Sequence, residues 1–340
     1  MSDELPGLDL AAVAAWLDAA RPGLRSGALT GSVIAGGMSN LTYRVGDGST
    51  TWALRRPPLG HVLSTAHDMA REFRVISALH GTGVPVAEPV VLCEDDTVTG
   101  APFYLMGFVD GVVLDKPDVV AALTPDDARR SCELLMRTLL SLHDVDPSSV
   151  GLDGFGRPDG YLARQVARWT TQWEASQTEP REGVEDLVRR LAAEVPEQSA
   201  PGIVHGDYRL TNVIFSRDIA SIAAVVDWEM ATVGDPLADV GLLVVYQTLA
   251  AGGMFGGVAT SPSAGFLTPE EMVALYAAGT TRDLSSLRWY IAFGWFKLAV
   301  IAQGIHARFV QGKTVGAGFD QVGAQVQRLL DQSARALDGR

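Results

Sequence analysis

Residues 203–212 read Ile203-Val204-His205-Gly206-Asp207-Tyr208-Arg209-Leu210-Thr211-Asn212, so an aspartate and an asparagine stand five residues apart. Two apolar runs follow, at 212–215 and 222–226, with the polar residues Ser-Arg-Asp between them. Short apolar runs around a polar turn are typical of a β-hairpin. The second run ends at Asp227, in the tripeptide Asp-Trp-Glu. The sequence therefore predicts a loop that carries an Asp and an Asn, followed by a hairpin that ends in a second carboxylate.

This arrangement is the one that kinase-type phosphoryl transfer requires. Asp207 would accept or orient the proton of the attacking hydroxyl. Asn212 and Asp227 would hold Mg²⁺ against the nucleotide phosphates, because Mg²⁺ prefers oxygen ligands and takes further ones from substrate and water. A solvated acidic face is the competing interpretation. It is disfavoured because Asp227 ends an apolar run, where an unpaired carboxylate would be costly.

Four neighbouring residues have less defined roles. Arg209 could offset charge on the transferred phosphoryl group as a catalytic residue, and surface exposure is the alternative. His205 is expected to orient the loop rather than to react, and Asp239 to brace the loop through hydrogen bonds. Glu229 could contact the metal directly or form a hydrogen bond to one of the metal ligands, and the sequence does not separate these two roles.

The pattern His-Gly-Asp-x-x-x-x-Asn, followed by Asp-Trp-Glu-x-x-x-x-Gly-Asp-Pro, resembles the aminoglycoside phosphotransferase family, whose relatives include choline and protein kinases. The wording of residues 226–239 is similar to the branch related to the kinase-like domain fused to some acyl-CoA dehydrogenases. The resemblance spans roughly residues 30–310. It implies an α+β, bilobal, protein-kinase-like fold with a small antiparallel β lobe and a large, mainly helical lobe.

The chain pattern predicts the same division. An amphipathic helix containing Leu10, Val13 and Leu17 precedes the strands, and a helical run at 64–80, with Ser64 as its N-cap, interrupts them. The expected nucleotide-binding lobe is 1–108, and the expected catalytic and substrate-binding lobe is 109–340. Strands are expected at 32–35, 41–45, 51–56, 89–92 and 103–108, and further helices at 124–143, 158–175, 184–194, 236–250, 269–278, 284–311 and 318–337.

The first lobe contains no lysine, although kinases use a strand lysine that reaches the α and β phosphates and pairs with a helix glutamate. The resemblance places Arg55 in that role, and arginine is a good bidentate phosphate ligand. Alternation along the strand puts Ala53 and Arg55 on one face, so Ala53 would leave space for adenine. Glu72 is the matching partner of Arg55, with a solvated helix glutamate as the alternative.

Two backbone segments complete the implied nucleotide site. Gly36-Gly37-Met38-Ser39-Asn40 resembles the phosphate loop, in which Gly37 lets the backbone approach the phosphates and Ser39 donates a hydrogen bond; a plain hairpin turn is the alternative. The backbones of Gly107 and Phe108 would meet the adenine edge. The implied cofactors are Mg²⁺ and ATP, or GTP in its place.

Composition limits the partners. Of the 340 residues, 47% are hydrophobic, which excludes a disordered chain. The net charge of −13 argues against nucleic acid and anionic membranes as partners. The apolar stretch 240–269 is interpreted as a core helix followed by a glycine-rich flexible loop, and 289–305 as a core helix rather than a membrane span because it is short and Lys297 interrupts it. Cys93 and Cys132 are expected to be buried free thiols. No signal peptide is recognisable, so a cytoplasmic location is expected.

The acceptor is expected to be a small molecule with a hydroxyl group, bound against the helices at 157–175 and 289–309. Arginines there favour an anionic or acyl-carrier substrate, whereas the acidic total favours a cationic aminoglycoside. The preferred function is an ATP- and Mg-dependent small-molecule kinase. The alternative is a nucleotide-binding module without turnover. A protein kinase is disfavoured because His-Gly-Asp replaces His-Arg-Asp and no Ala-Pro-Glu segment follows Asp227. The oligomeric state is left open.

Overall fold

The computed structural model describes residues 5–34, 40–59, 68–251, 260–312 and 321–339. The chain divides into two compact units. The first unit comprises residues up to 112 together with 213–231, and the second comprises 113–212 together with 232–340. The hairpin after the Asp-Asn loop is thus grouped with the N-terminal strands. The prediction of lobes at 1–108 and 109–340 remains a prediction about domains.

The first unit contains a five-stranded antiparallel sheet with the strand order β1-β2-β3-β5-β4. The elements in chain order are α1 Leu10–Ala20, β1 Thr30–Val33, β2 Leu41–Gly46, β3 Thr51–Arg56, α2 Met69–Leu79, β4 Pro89–Cys93 and β5 Phe103–Gly107. In the same unit, the short hairpin strands, labelled β7 and β8 in chain order, are Val213–Phe215 and Ile222–Val225. A 3₁₀ turn at Trp228–Met230 follows β8.

The two faces of β3 have different surroundings. Trp52 and Leu54 lie in a core cluster with Val13 and Leu17 of α1. Arg55 lies on the opposite face, where it meets Glu72 of α2. The predicted alternation along this strand is therefore confirmed. Because β3 is flanked by β2 and β5, its side chains are held in register on both sides.

The second unit is mainly helical. Its elements are α3 Pro117–Ala121, α4 Pro125–His143, α5 Tyr161–Ser176, α6 Val184–Ala193, β6 Gly202–Val204, β9 Thr232–Gly234, α7 Leu237–Ala251, α8 Pro269–Gly279, α9 Leu287–Val310 and α10 Val322–Leu337, with 3₁₀ turns at Leu210–Asn212 and Pro262–Ala264. Strands β6 and β9 pair with each other in antiparallel fashion. Helix α9 packs against α5, α7 and α10 and so forms the centre of the unit.

Local sequence signals set the helix boundaries. Thr268 and Glu271 form a reciprocal capping box at the start of α8, with Pro269 in the first turn. Thr124 caps α4 by accepting from the N–H of Asp127. Helix α7 packs closely on α9, because a Cβ added at Gly241 would lie 2.5 Å from the carbonyl carbon of Tyr290. Glycine at this position therefore permits the close helix pair.

Most predicted elements lie within a few residues of the observed ones. Helix α2 spans Met69–Leu79, within the expected helical run at 64–80, and the Asp68 side chain caps it; the predicted cap Ser64 lies outside the described residues. Short elements were not predicted, namely α3, β6 and β9. Cys93 and Cys132 are buried and free, as predicted. Among the helices described, none is both long enough and apolar enough to cross a membrane.

Candidate active site

The loop after β6 carries Asp207 in the second unit. Gly206 has φ of +85°, a value that suits glycine, so the sequence His-Gly-Asp turns sharply before the carboxylate. The side-chain amide of Asn212 donates to the Asp207 main-chain oxygen at 2.8 Å and to its Oδ2 at 2.9 Å. The five-residue spacing therefore closes a small ring that fixes both side chains.

Asp239, in the first turn of α7, accepts hydrogen bonds from the main chain of this loop. Its Oδ2 accepts from the N–H of His205 and its Oδ1 from the N–H of Gly206, both at 2.7 Å. His143 of α4 lies 3.3 Å from Oδ2. Burial alone would raise the pKa of Asp239, but His143 and His205 together lower it below its ordinary value. The predicted bracing role of Asp239 is confirmed.

His205 is fully buried, and its Nδ1 accepts from the N–H of Asp207 at 3.3 Å. The ring therefore orients the loop backbone, as predicted. Lys297 of α9 contacts the same turn: its Nζ donates to the carbonyl of Gly206 at 2.7 Å and lies 5.4 Å from the centre of the Trp169 ring. Burial lowers the pKa of Lys297, while Asp207 and Asp239 act in the opposite direction.

The Asp207 carboxylate, 22% exposed, meets two further side chains. The hydroxyl of Tyr246, on α7, donates to Asp207 Oδ1. Arg209 Nε lies 3.6 Å from Oδ2, and the Arg209 guanidinium lies 4.8 Å from the centre of the Tyr246 ring. The Arg209 side chain is 41% exposed and also faces the Asp207 carboxylate. Both the surface position and the position beside the reacting group that the sequence allowed are therefore compatible with its placement.

Arg55 links carboxylates within the first unit. Its Nε binds Glu72 Oε2 at 2.8 Å and its terminal nitrogen binds Asp227 Oδ1 at 2.5 Å. The Tyr104 hydroxyl also donates to Glu72, at 3.0 Å. Burial alone would lower the pKa of Arg55, but Glu72, Tyr104 and Asp227 together raise it, so the guanidinium stays charged. The predicted Arg55–Glu72 pair is present, and the pairing with Asp227 was not predicted.

Asp227 adopts a left-handed conformation with φ of +68°, uncommon for any residue except glycine. Such backbone strain is concentrated at functional sites. Two residues later, Glu229 Oε2 accepts from Asn40 Nδ2 at 3.1 Å, and Asn40 also donates to Glu72 at 2.8 Å. Glu229 is therefore joined to Glu72 through Asn40, which places it in a hydrogen-bond network of this unit.

The remaining sequence-predicted nucleotide residues have different outcomes. Gly37 and Ser39 lie outside the described residues. Ala53 is buried in β3 opposite Met106 of β5. The N–H of Gly107 donates to the carbonyl of Glu88 at 2.8 Å, and the N–H of Phe108 donates to that of Thr51 at 3.3 Å. Both N–H groups are thus used within the sheet region, so the predicted contact with adenine depends on the carbonyl groups of Gly107 and Phe108.

The predicted metal ligands offer oxygen atoms. Because Asn212 uses its amide nitrogen for Asp207, its side-chain carbonyl oxygen is oriented by the loop. Asp227 uses one oxygen for Arg55 and is 29% exposed on its side chain. No cluster of three or more His, Cys, Asp or Glu side chains suited to a metal occurs in the part of the chain that the structure describes. Oxygen donors of these two types suit Mg²⁺, which takes few protein carboxylates and relies on substrate phosphates and water.

Sequence reasoning missed two residues around Asp207. Lys297 gave a signal, since it is a lone cation in an apolar run, but its contact with Gly206 was not predicted. Tyr246 gave none. The aromatic residues of the proposed acceptor helices are mostly core: Trp169, Trp173 and Trp289 are each at most 5% exposed.

The fold is that of the kinase-like phosphotransferases. Residues 30–272 match the phosphotransferase enzyme family, which includes the aminoglycoside phosphotransferases, and the chain belongs to this family. A Ralstonia eutropha protein provisionally named an aminoglycoside phosphotransferase is 32% identical, with a TM-score of 0.84 over 97% of this chain and 98% of that one. The predicted kinase-like fold is confirmed.

Relatives from animals and plants match most of the chain. Acyl-CoA dehydrogenase family member 10 of Mus musculus is 33% identical over 87% of this chain, and member 11 of Gallus gallus is 32% identical over 90%. The chain corresponds to 28% and 40% of the length of these two proteins, respectively. The predicted similarity to this branch is confirmed.

A more distant solved structure supports the fold alone. Aminoglycoside phosphotransferase APH(4)-Ia, solved with AMP-PNP and hygromycin B, is 16% identical to this chain, with a TM-score of 0.63 over 97% of this chain and 99% of that one.

Proposed function

We propose that the chain transfers the γ-phosphoryl group of ATP to the hydroxyl of a small molecule, with Mg²⁺ as cofactor. The observation that carries this proposal is the preset Asp207 carboxylate, held by Asn212 at 2.9 Å on a loop that Asp239 and Lys297 fix. A general base must be positioned before the substrate arrives if it is to take the hydroxyl proton without reorganisation. Asp207 is the proposed base.

The proposed nucleotide ligands lie largely in the first unit. Arg55, whose guanidinium is oriented by Glu72, supplies a fixed positive charge for the phosphates. Ala53 leaves room for the adenine ring of the nucleotide. The phosphate loop with Gly37 and Ser39, and the backbone of Gly107 and Phe108, complete this assignment. Two structural neighbours, APH(4)-Ia and aminoglycoside 2'-phosphotransferase-IIIa, were solved with AMP-PNP and GDP, respectively, which supports a nucleotide as the phosphoryl donor.

Asn212 and Asp227 are the proposed Mg²⁺ ligands. When bound by these residues, Mg²⁺ would neutralise phosphate charge and help to orient the triphosphate. Arg209, which faces Asp207 Oδ2, is proposed to offset charge that develops on the transferred group. The left-handed backbone at Asp227 supports a functional role, because such conformations are concentrated at functional sites.

The acceptor is proposed to be a small hydroxyl compound. The names of the curated relatives point to acyl-CoA metabolism, which supports a hydroxyacyl acceptor. A structural neighbour crystallised with hygromycin B supports an aminoglycoside-like acceptor. These two classes differ in charge and are separated by experiment.

The test is to incubate the protein with γ-labelled ATP, Mg²⁺ and a fractionated metabolite extract, and to identify by mass spectrometry any compound that gains a phosphate. Aminoglycosides and hydroxyacyl-CoA compounds are assayed in parallel. Asp207→Ala is expected to abolish transfer while ATP binding persists, and Asp227→Ala to weaken both Mg²⁺ binding and rate. Asp146→Ala, a change at an exposed aspartate that accepts from Ser148 in a local turn, is the control. Normal turnover by Asp207→Ala would contradict the assignment.

A nucleotide-binding module without turnover is the second candidate. It is favoured by Arg55, which replaces the expected lysine and is bound by Glu72 and Asp227. Binding of Mg-ATP without transfer to any acceptor, including water, would support this candidate over the first.

A further inference from the structure

The two oxygens of the Asp207 carboxylate have different partners. Oδ2 accepts from Asn212, a residue of the same loop. Oδ1 accepts from the hydroxyl of Tyr246, which belongs to α7 and stands 39 residues further along the chain. One oxygen is thus occupied by the loop itself, and the other by a hydroxyl group from outside it.

The Tyr246 phenol acts here only as a donor. Burial raises its pKa well above the ordinary tyrosine value, and the adjacent Asp207 carboxylate raises it further. The ring is held in place by the Arg209 guanidinium, 4.8 Å from its centre. A neutral hydroxyl that donates to the proposed base has the same relation to Asp207 as the hydroxyl of an acceptor would have.

Resting on the proposed function, we propose that Tyr246 is a specificity-determining residue that occupies the acceptor-hydroxyl position on Asp207 and excludes water until an acceptor displaces it. Kinases of small molecules face a competing reaction with water. In that reaction the water oxygen bonds to the γ-phosphorus, the bond to the bridging oxygen breaks, ADP leaves and the water proton passes to Asp207. Water lacks binding contacts that could displace the phenol, whereas a bound acceptor has them.

The test uses the full chain with Mg-ATP and no added acceptor, so that water is the only acceptor. Tyr246→Phe keeps the ring but removes the hydroxyl, and hydrolysis of ATP is expected to rise roughly tenfold, as loss of one hydrogen bond to a charged group allows. ATP affinity is expected to stay unchanged.

Tyr290→Phe is the matched control. The Tyr290 hydroxyl donates to Asp235 at 2.8 Å, so this change also removes a buried phenol–aspartate hydrogen bond, but at a distance from Asp207 along the chain and with different partners. It is expected to leave hydrolysis at the wild-type rate. Tyr246→Leu is a second variant without a hydroxyl, and the same rise is expected if Tyr246→Phe does not fold.

Hydrolysis that stays at or below the wild-type rate in a Tyr246 variant that still binds ATP would overturn the proposal. The double variant Tyr246→Phe with Asp207→Asn separates this failure from failure of the proposed function. Loss of the raised hydrolysis in the double variant supports both proposals. Persistence of the raised hydrolysis means that Asp207 is not the base, and the proposed function then fails at that residue. If wild type phosphorylates an extract component but Tyr246→Phe raises nothing, only the role of Tyr246 is wrong.

Discussion

Arg55 differs from the lysine expected in its place in the number and geometry of its N–H donors, and the structure shows it bound to two carboxylates. A guanidinium presents several N–H groups in a fixed plane, so it can bind two carboxylates at once, whereas an ammonium is a compact point charge. Arg55 binds Glu72 and Asp227 in this way, at 2.8 and 2.5 Å. The arginine thus couples helix α2 to the segment after β8 within one unit.

Replacing Arg55 tests this coupling. Arg55→Ala leaves Glu72, 2% exposed on its side chain, as a buried carboxylate without its cation, and removal of one partner of a buried ion pair costs about 3 kcal/mol. We expect the free energy of unfolding in urea to fall by about this amount. Glu72→Gln in the same background should recover part of the loss, because the uncompensated charge is removed. An unchanged loss in the double variant would show that the pair is not the cause.

Lys297 is a second cation that can be tested by substitution, because its ammonium group donates to a main-chain carbonyl of the Asp207 loop. Lys297→Met removes the donor to the Gly206 carbonyl, and an unpaired buried acceptor costs about 1–3 kcal/mol. We expect the loop to lose its fixed geometry and the rate of phosphoryl transfer to fall roughly tenfold, with ATP affinity unchanged. Lys297→Gln keeps an N–H donor and should retain more activity than Lys297→Met. Equal activity of both variants and wild type in the labelled-ATP assay would contradict this role.

At this scale the sequence predicted residues whose partners are close in the chain or fixed by strand alternation. Asn212 lies five residues from Asp207, and Arg55 faces Glu72 because of the alternation along β3. Tyr246 and Lys297 were not predicted as contacts of the loop. They come from helices whose rotation about their own axes depends on tertiary packing, and the local pattern does not contain that information.

Among the elements, the loop between β6 and the 3₁₀ turn at Leu210–Asn212 is held by contacts from helices outside it. Both oxygens of Asp239 accept main-chain N–H groups of this loop. His143 of α4 adds a further contact to the same carboxylate. Asp239 lies in the first turn of α7, so the position of the loop is fixed by the start of a helix in the second unit.

Asp239→Asn tests this support. Asparagine has a single side-chain oxygen, so at least one of the two N–H groups loses its acceptor, at a cost of about 1–3 kcal/mol. We expect the free energy of unfolding in urea at pH 7 to fall by this amount. Asp283→Asn, at an exposed aspartate that accepts from Ser285, is the control and should cost less.

The same variant should change the acid dependence of stability. The pKa of Asp239 is lowered in the folded chain relative to about 4 in the unfolded chain, so its contribution is present above pH 4 and is lost as the pH falls through the folded value. The difference between wild type and Asp239→Asn should therefore shrink when unfolding is measured at pH 3. A difference that stays constant from pH 7 to pH 3 would contradict this linkage.

Long periodic elements were predicted better than short ones. Helix α4 was expected at 124–143 and is observed at Pro125–His143, because its apolar spacing, N-cap and first-turn proline agree. Strands β6 and β9 have three residues each, too few for a period to show. The start of α2 at Met69 is set by the cap Asp68, whose signal the expected run from residue 64 did not use.

Across the whole molecule, every tyrosine has a raised pKa. The seven are Tyr43, Tyr104, Tyr161, Tyr208, Tyr246, Tyr276 and Tyr290, and burial is the largest cause for each. They occur in both compact units. Burial also raises the pKa of the Cys132 thiol to about 11. The acidic side chains gave the sequence its net charge, whereas the buried phenols contribute to the response of stability to alkali.

The alkaline limit of the fold follows from these phenols. In the unfolded chain a tyrosine ionises near pH 10. In the folded chain the raised pKa keeps it protonated, so above about pH 10 the folded state binds more protons than the unfolded state and stability falls as the pH rises. We expect the near-ultraviolet phenolate absorbance of the folded protein to stay flat past pH 10 and then to rise in one cooperative step that coincides with the loss of helical circular dichroism. The urea-unfolded protein, as the control, should titrate gradually around pH 10. A gradual phenolate signal in protein that keeps its helical signal would mean that some tyrosines are accessible to ionisation in the folded state, and the cooperative step would then be wrong.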